Sequence, residues 1–192
     1  MTGLPPRKRI EDVELMRALA HPLRSALVDH LMAVGPRTAS ECAAAVGSTA
    51  SNCSWHLRQL ARHGLVERVE GEDGRERPWR ACQVGIEFGD DPELRGAQLA
   101  VVGTTLAREK ELTERYLDAA HRLGEDWRDA SGINNYSLRV TAGELEELVQ
   151  RIDALVRPYV GAIREDAPAE ALPVHLGLRA FLRIDAEGKP SR

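Results

Sequence analysis

Aromatic side chains make up only 4% of this 192-residue chain, so a core has to be assembled mostly from Leu, Val, Ile and Ala. Cysteine is also scarce. Cys42, Cys53 and Cys82 form no CxxC pair and leave an odd thiol, which fits a reducing compartment better than a disulfide scaffold. Lysine is nearly missing: of 26 basic residues only Lys8, Lys110 and Lys189 are not arginine, a skew that GC-rich coding produces as readily as a binding role does. No run approaches the roughly 18 to 20 apolar residues that span a bilayer. The opening "MTGLPPRKRI" lacks the apolar stretch of a secretory leader, so the expectation is a cytoplasmic protein without membrane contact. A phosphate-cradling glycine loop and a nucleophile–base–orienter set are both missing, which argues against an enzyme and against a cofactor. The chain shows no internal repeat and no low-complexity tract.

What is present is an ordinary globular composition, 43% apolar and 29% charged, with a net charge of −4. The charge is unevenly placed. Residues 1–87 carry 12 basic and 11 acidic groups, whereas residues 88–192 carry 14 and 19. The less acidic half opens with Arg7-Lys8-Arg9, a basic arm able to reach phosphates or a minor groove, or simply to stay solvated.

Helical periodicity begins at "EDVELMRALA" (11–20), with acids in its first turn and Val13, Met16, Leu19 and Ala20 at helical spacing. A second helix follows in "HPLRSALVDHLMAVGP", from Pro22 to the stop at Gly35-Pro36. Thr38 with Glu41 forms a capping box for a short third helix ending at Gly47. "SNCSWHLRQLARHG" makes a fourth helix ending at Gly64. Two short helices joined by a Gly-containing turn have the dimensions of a helix-turn-helix. The period then changes to two: strands near 65–70 and 78–84 flank the turn "GEDGR", a β-hairpin where a wing belongs.

The fourth helix has two faces. Cys53, Leu57 and Leu60, with His56 beside them, form the apolar stripe, so Cys53 reads as a small buried hydrophobe. The opposite side carries Ser51, Trp55, Arg58 and Arg62, flanked by Asn52, Ser54 and Gln59. Arg pairs bidentately with guanine, Asn or Gln with adenine, and Ser bonds base or phosphate, so this face is a candidate DNA reader. A zinc site at Cys53 and His56 would need one or two more ligands, and only Cys42 and His63 lie near in sequence. His21, His30 and His56 read as core or capping residues, and no metal is expected. On the hairpin, Arg75, Arg77 and Arg80 can grip flanking phosphates, although Glu72, Asp73 and Glu76 between them equally make a salt-bridged exposed hairpin.

The stretch "ALAHPLRSALVDHLMAVGPRTASECAAAVGSTASNCSWHLRQLARHGLVERVE" resembles the winged helix-turn-helix of ArsR-type (arsenic-repressor-like) bacterial regulators. The matching elements are "HPLR", "TASECAAAVG", "S-x-x-x-H-L-x-x-L" and "HGLVE", and the resemblance covers about residues 11–84. It implies a homodimeric repressor with each recognition helix in a major groove. The metal sensors of that family carry a C-x-C pair where this chain has Thr38 and Ser40. Their other site draws Asp and His from the C-terminal dimer helices, and here the long helix offers only His121. The resemblance therefore implies the DNA reader and not a metal.

Beyond it, Asp91-Pro92 opens a long helix in which Leu94, Ala97, Val101, Thr105, Arg108, Leu112, Tyr116, Ala119, Leu123 and Trp127 advance by threes and fours. This stripe is a candidate dimer seam, or else packs on the C-terminal helix of its own chain. "YSLRVT" alternates as a strand, Thr141 with Glu144 caps a last helix that Pro158 ends or kinks, and "VHLGLRAFLRI" alternates as a final strand. Trp127, Tyr136, Tyr159 and Phe181 are either core aromatics or the lining of a pocket for a small organic effector.

The expectation is a mainly α protein with small β structure (α+β). Residues 1–10 form a flexible arm and 11–87 a winged helix-turn-helix. Residues 88–185 hold the long dimerisation helix and a strand–helix–strand unit, and 186–192 a disordered tail. The expected function is sequence-specific binding to double-stranded DNA, at an inverted-repeat operator, by a homodimeric repressor. The alternative is a winged-helix protein-interaction module, which the exposed Trp55 favours.

Overall fold

The computed structural model describes residues 7–70, 77–89, 91–164 and 166–191. It is α+β, with seven helices and two short strand pairs among the described residues. Strand β1 (Lys8–Ile10) leads into α1 (Val13–Leu19) and α2 (Pro22–Val34), followed by α3 (Ala39–Val46) and α4 (Ala50–Arg62). Strands β2 (Val66–Arg68), β3 (Trp79–Ala81) and β4 (Ile86–Phe88) come next, then α5 (Arg95–Ala119), α6 (Glu125–Ala130) and α7 (Ala142–Val156).

Local chemistry accounts for most helix ends. Asp12, Thr38, Thr49 and Thr141 each cap a helix by accepting a backbone N–H, and Thr38 and Thr141 do so in complete capping boxes. Pro22 occupies the first turn of α2, where its missing N–H costs nothing. Gly47 ends α3 at φ 65°, a left-handed conformation that a Cβ disfavours.

One core gathers the N-terminal half. Met16, Leu27, Val28, Leu31, Cys42, Cys53, Leu57, Leu60, Leu65 and Val66 are buried together, and Trp79 closes the cluster from the wing. β2 and β3 pair antiparallel, Val66 opposite Ala81 and Arg68 opposite Trp79. A further bridge joins Arg37 to Trp79, tying the wing to the start of α3.

Four sequence expectations differ from the structure. Residues 8–10 are not part of a free arm: they pair in parallel with β4 and bury Ile10 completely. Burial of that one apolar side chain, together with the Lys8 ammonium donating to the carbonyls of His63 and Gly64 at 3.2 and 3.0 Å, holds the segment down. The long helix does not run to Trp127. It ends at Ala119, passes through a 3-10 turn holding His121, and restarts as α6 behind Gly124, whose φ −60° and ψ 156° leave the helical region. The segments 136–141 and 174–183 make no strand ladder. A strand needs a neighbour about 4.8 Å away, and the two pairings among the described residues engage β1–β4 and β2–β3 only. The tail, by contrast, folds back, with Ile184 bridged to Pro190 around Gly188 at φ 81°.

α5 joins the two halves. Thr104 donates to the carbonyl of Ala20 at 2.9 Å, Gln98 donates to that of Gly89 at 2.7 Å, and Arg108 lies 3.9 Å from Asp29. Farther along, Arg7 pairs with Asp153 of α7, and Gly161 sits against the last carbonyls of α2 with no space for a Cβ.

Candidate nucleic-acid interface

The fourth helix divides as its periodicity requires. Cys53, Leu57 and Leu60 are fully buried and His56 nearly so, while Ser51, Asn52, Trp55, Arg58 and Arg62 are exposed and Ser54 and Gln59 half-buried. Ser48 and Thr49 complete the turn after Gly47, and the Thr49 hydroxyl accepts the N–H of Asn52 at 3.2 Å. α3 lies directly against α4, which presents the outward face as a ridge above a firm support.

The outward side chains are ordered by each other. Arg58 donates to the Ser54 hydroxyl at 2.9 Å, one turn back, and Arg62 to the Gln59 carbonyl oxygen at 3.3 Å. Asn52 donates to the Ser48 hydroxyl at 3.1 Å. Each of these bonds holds one end of a polar group and leaves further donors free, since a guanidinium has five N–H groups and a primary amide two. Bonds this exposed exchange readily for bonds to a base or phosphate.

Trp55 is 47% exposed and does not stand alone. Its indole meets the His56 ring edge-on at 4.7 Å, and the Arg24 guanidinium lies 5.7 Å above it. Arg24 also donates to Nδ1 of His56 at 3.3 Å, and the His21 ring packs on His56 at 4.6 Å. Burial pushes the His56 imidazole below its ordinary pKa, with His21 and Arg24 adding to the effect. A neutral ring that accepts from Arg24 is therefore the resting state, and it couples α2 to the outward face of α4. Arg24 was not among the residues the sequence singled out. It lies on a different helix, and only the packing of α2 on α4 brings it to Trp55.

The wing carries the remaining candidates. Arg77 is exposed at the start of the returning segment, and its carbonyl accepts from Arg68, whose guanidinium lies 4.4 Å over the Trp79 ring. Arg80 is paired with Glu67 across the hairpin at 2.7 Å, which is the salt-bridged arrangement. Arg75 lies outside the described residues, as do Glu72, Asp73 and Glu76.

Two of the thiols, Cys42 and Cys53, sit buried among apolar side chains, and Cys82 is exposed. Burial pushes Cys42 up to about 11, and Cys53 is raised as well, so both stay protonated in the fold. Thr38 is engaged as the cap of α3. Among the described residues no three His, Cys, Asp or Glu side chains cluster in a metal-binding arrangement.

Residues 19–69 match the family model of a helix-turn-helix domain, which takes in α2, α3, α4 and β2. This segment is similar to the DNA-binding domains of transcriptional regulators. The match is to that general class and does not single out the arsenic-repressor-like regulators. No curated protein matches the chain.

A cavity of about 840 Å³ lies between α2, the end of α7 and the C-terminal segment. Trp127 and Tyr159 line it, together with Asp29, Met32, Leu155 and His175. The other two aromatics expected there do not: Tyr136 and Phe181 are 81% and 74% exposed and lie outside its lining. No helix among the described residues is long and apolar enough to cross a membrane.

Proposed function

We propose that the chain is a sequence-specific, double-stranded-DNA-binding repressor of the arsenic-repressor-like kind, acting in the cytoplasm as a homodimer. In this reading residues 11–87 read the operator and residues 88–185 dimerise. The observation that carries it is the outward face of α4, where Ser51, Asn52, Trp55, Arg58 and Arg62 stand exposed on the second helix of a helix-turn-helix. Arg58 and Asn52 contact bases, Ser51, Ser54, Gln59 and Arg62 contact bases or phosphates, and Arg75 and Arg77 grip the flanking backbone from the wing. The half-sites lie one helical turn apart, or a multiple of it, on an inverted repeat.

The cavity beside α2 is where a small organic effector would act, because its walls come from both halves. The rival reading is a protein-interaction module, and the exposed Trp55 is what favours it, since tryptophan often anchors interfaces. Selection from a random duplex library separates the two. An enriched two-fold symmetric site supports the repressor. Retention of no sequence, with weak binding that salt abolishes, defeats it and favours the module.

A further inference from the structure

The segment from Leu172 to Ile184 is apolar at every second position: Leu172, Val174, Leu176, Leu178, Ala180, Leu182 and Ile184. This is the pattern of a strand with one buried face. Yet every residue of it is exposed, including Val174 at 67% and Leu176 at 64%. Tyr136, Leu138 and Val140 repeat the pattern before α7 and are exposed too. α7 itself buries no residue. On α5, Leu99, Val102, Leu106 and Leu117 form an exposed stripe at steps of three, four and eleven, away from the side that packs on α1 and α2.

The uncovered surface is large enough to measure against a partner. A compact monomer of 21.2 kDa exposes about 9,000 Å², whereas this chain exposes 13939 Å². The excess, on the order of 5,000 Å², more than covers the roughly 1,000–2,500 Å² that each copy contributes to an obligate dimer interface. Pairing 136–141 with 174–184 inside one copy would give a two-stranded ribbon, which is marginal unless it packs on a helix as the two N-terminal pairs do. Two copies supply four strands with a shared apolar face. Charge is compatible with the same contact: the two segments carry Arg139, Arg179 and Arg183 and no acid, and in the second half of α5, where Arg108, Lys110 and Arg115 pair with Glu111 and Glu114, the further acids are Glu109 and Asp118. Arg179 already meets Glu109 within the chain.

We infer that residues 136–141 and 174–184 are strands of a sheet completed by a second copy of this chain, whose apolar face covers the exposed stripe of α5. The inference rests on the homodimer in the proposed function and names the surface that makes it. Each segment gains a hydrogen-bonded neighbour and a covered face in one step, and the two halves of the dimer become interlocked rather than merely juxtaposed.

The test joins sedimentation of the full-length protein with hydrogen exchange of its backbone amides. The wild type is expected to be a dimer in which the amides of 136–141 and 174–184 exchange orders of magnitude more slowly than in an open chain. Leu178→Asp is expected to weaken the dimer about 30-fold or more, the effect of losing one anchoring side chain, and to release both segments to fast exchange. The position is exposed in the single chain, so the helical signal of the N-terminal half should be unchanged. A monomeric wild type overturns the inference. So does a dimer whose 136–141 and 174–184 amides exchange as fast as an open chain, or one that Leu178→Asp leaves intact. Failure to bind DNA, with the dimer and the protection both present, would defeat the repressor and leave this pairing standing.

Discussion

Two capping boxes of the same design open α3 and α7. In each the threonine N–H reaches the glutamate carboxylate at 2.7 Å, and the glutamate N–H reaches the threonine hydroxyl at 3.3 Å. The helices they start have different fates. α3 buries Cys42 and Ala43 in a shared core, and α7 buries nothing. Among the described residues every buried apolar side chain except Val101 lies between Ile10 and Trp79. Local signals therefore make helices equally well in both halves, but only the first half supplies its own packing. On the proposed function the contrast has a reason: a DNA-reading domain has to hold its recognition helix rigidly, whereas a dimerising half can leave its apolar surface to be covered on assembly.

The largest effect that would break this contrast comes from truncating one leucine in each half. Leu57→Ala should cost about 2–5 kcal/mol, because a fully buried side chain leaves a cavity. Leu155 is 72% exposed in the single chain, so Leu155→Ala should stay within about 0.5 kcal/mol for the isolated chain. Denaturation followed at several protein concentrations checks both. A loss at Leu155 that grows on dilution would show that the residue is buried by assembly.

The capping boxes give a smaller and more finely matched comparison. Thr38→Ala should cost about 1 kcal/mol of global stability. Thr141→Ala removes the same bonds but should loosen only α7, seen as faster amide exchange there with an unchanged melting midpoint for the N-terminal half. Equal shifts in the global midpoint would mean that the two halves unfold as one unit.

The smallest effect is on pH. Burial depresses both His56 and His30, two histidines of the packed half. The unfolded chain takes up protons near pH 6.5 and the folded chain only below that. Their contribution to stability is therefore complete above about pH 6.5 and is lost as pH falls. Thermal melts from pH 7 down to about 5.5 should show a falling midpoint, with a shallower slope in His56→Gln. A flat profile would mean that these rings take up protons in the fold as readily as in the unfolded chain.

Much of the N-terminal half was legible in the sequence, because its signals are local. Thr38 with Glu41, Pro22, Gly47 and Gly64 bound the helices, and the spacing of Cys53, Leu57 and Leu60 assigned the buried face of α4. What escaped depends on distant partners. The pairing of Lys8–Ile10 with Ile86–Phe88 joins three-residue strands too short to show alternation, and Arg24 reaches Trp55 only through helix packing. The break at Gly124 escaped because the apolar steps through Leu123 and Trp127 continue across it. The alternation in 136–141 and 174–184 predicts strands that the structure does not form, because a strand pattern states which face wants covering and not which neighbour the backbone pairs with.

The central claim, that the outward face of α4 reads bases, is tested most directly by one comparison. The affinities of wild type and Arg58→Ala are measured on the selected duplex and on a scrambled duplex of the same length and composition. The account predicts that Arg58→Ala loses about 1–3 kcal/mol on the selected duplex and almost nothing on the scrambled one. Equal losses on both would make Arg58 a phosphate contact, and no loss on either would contradict the account.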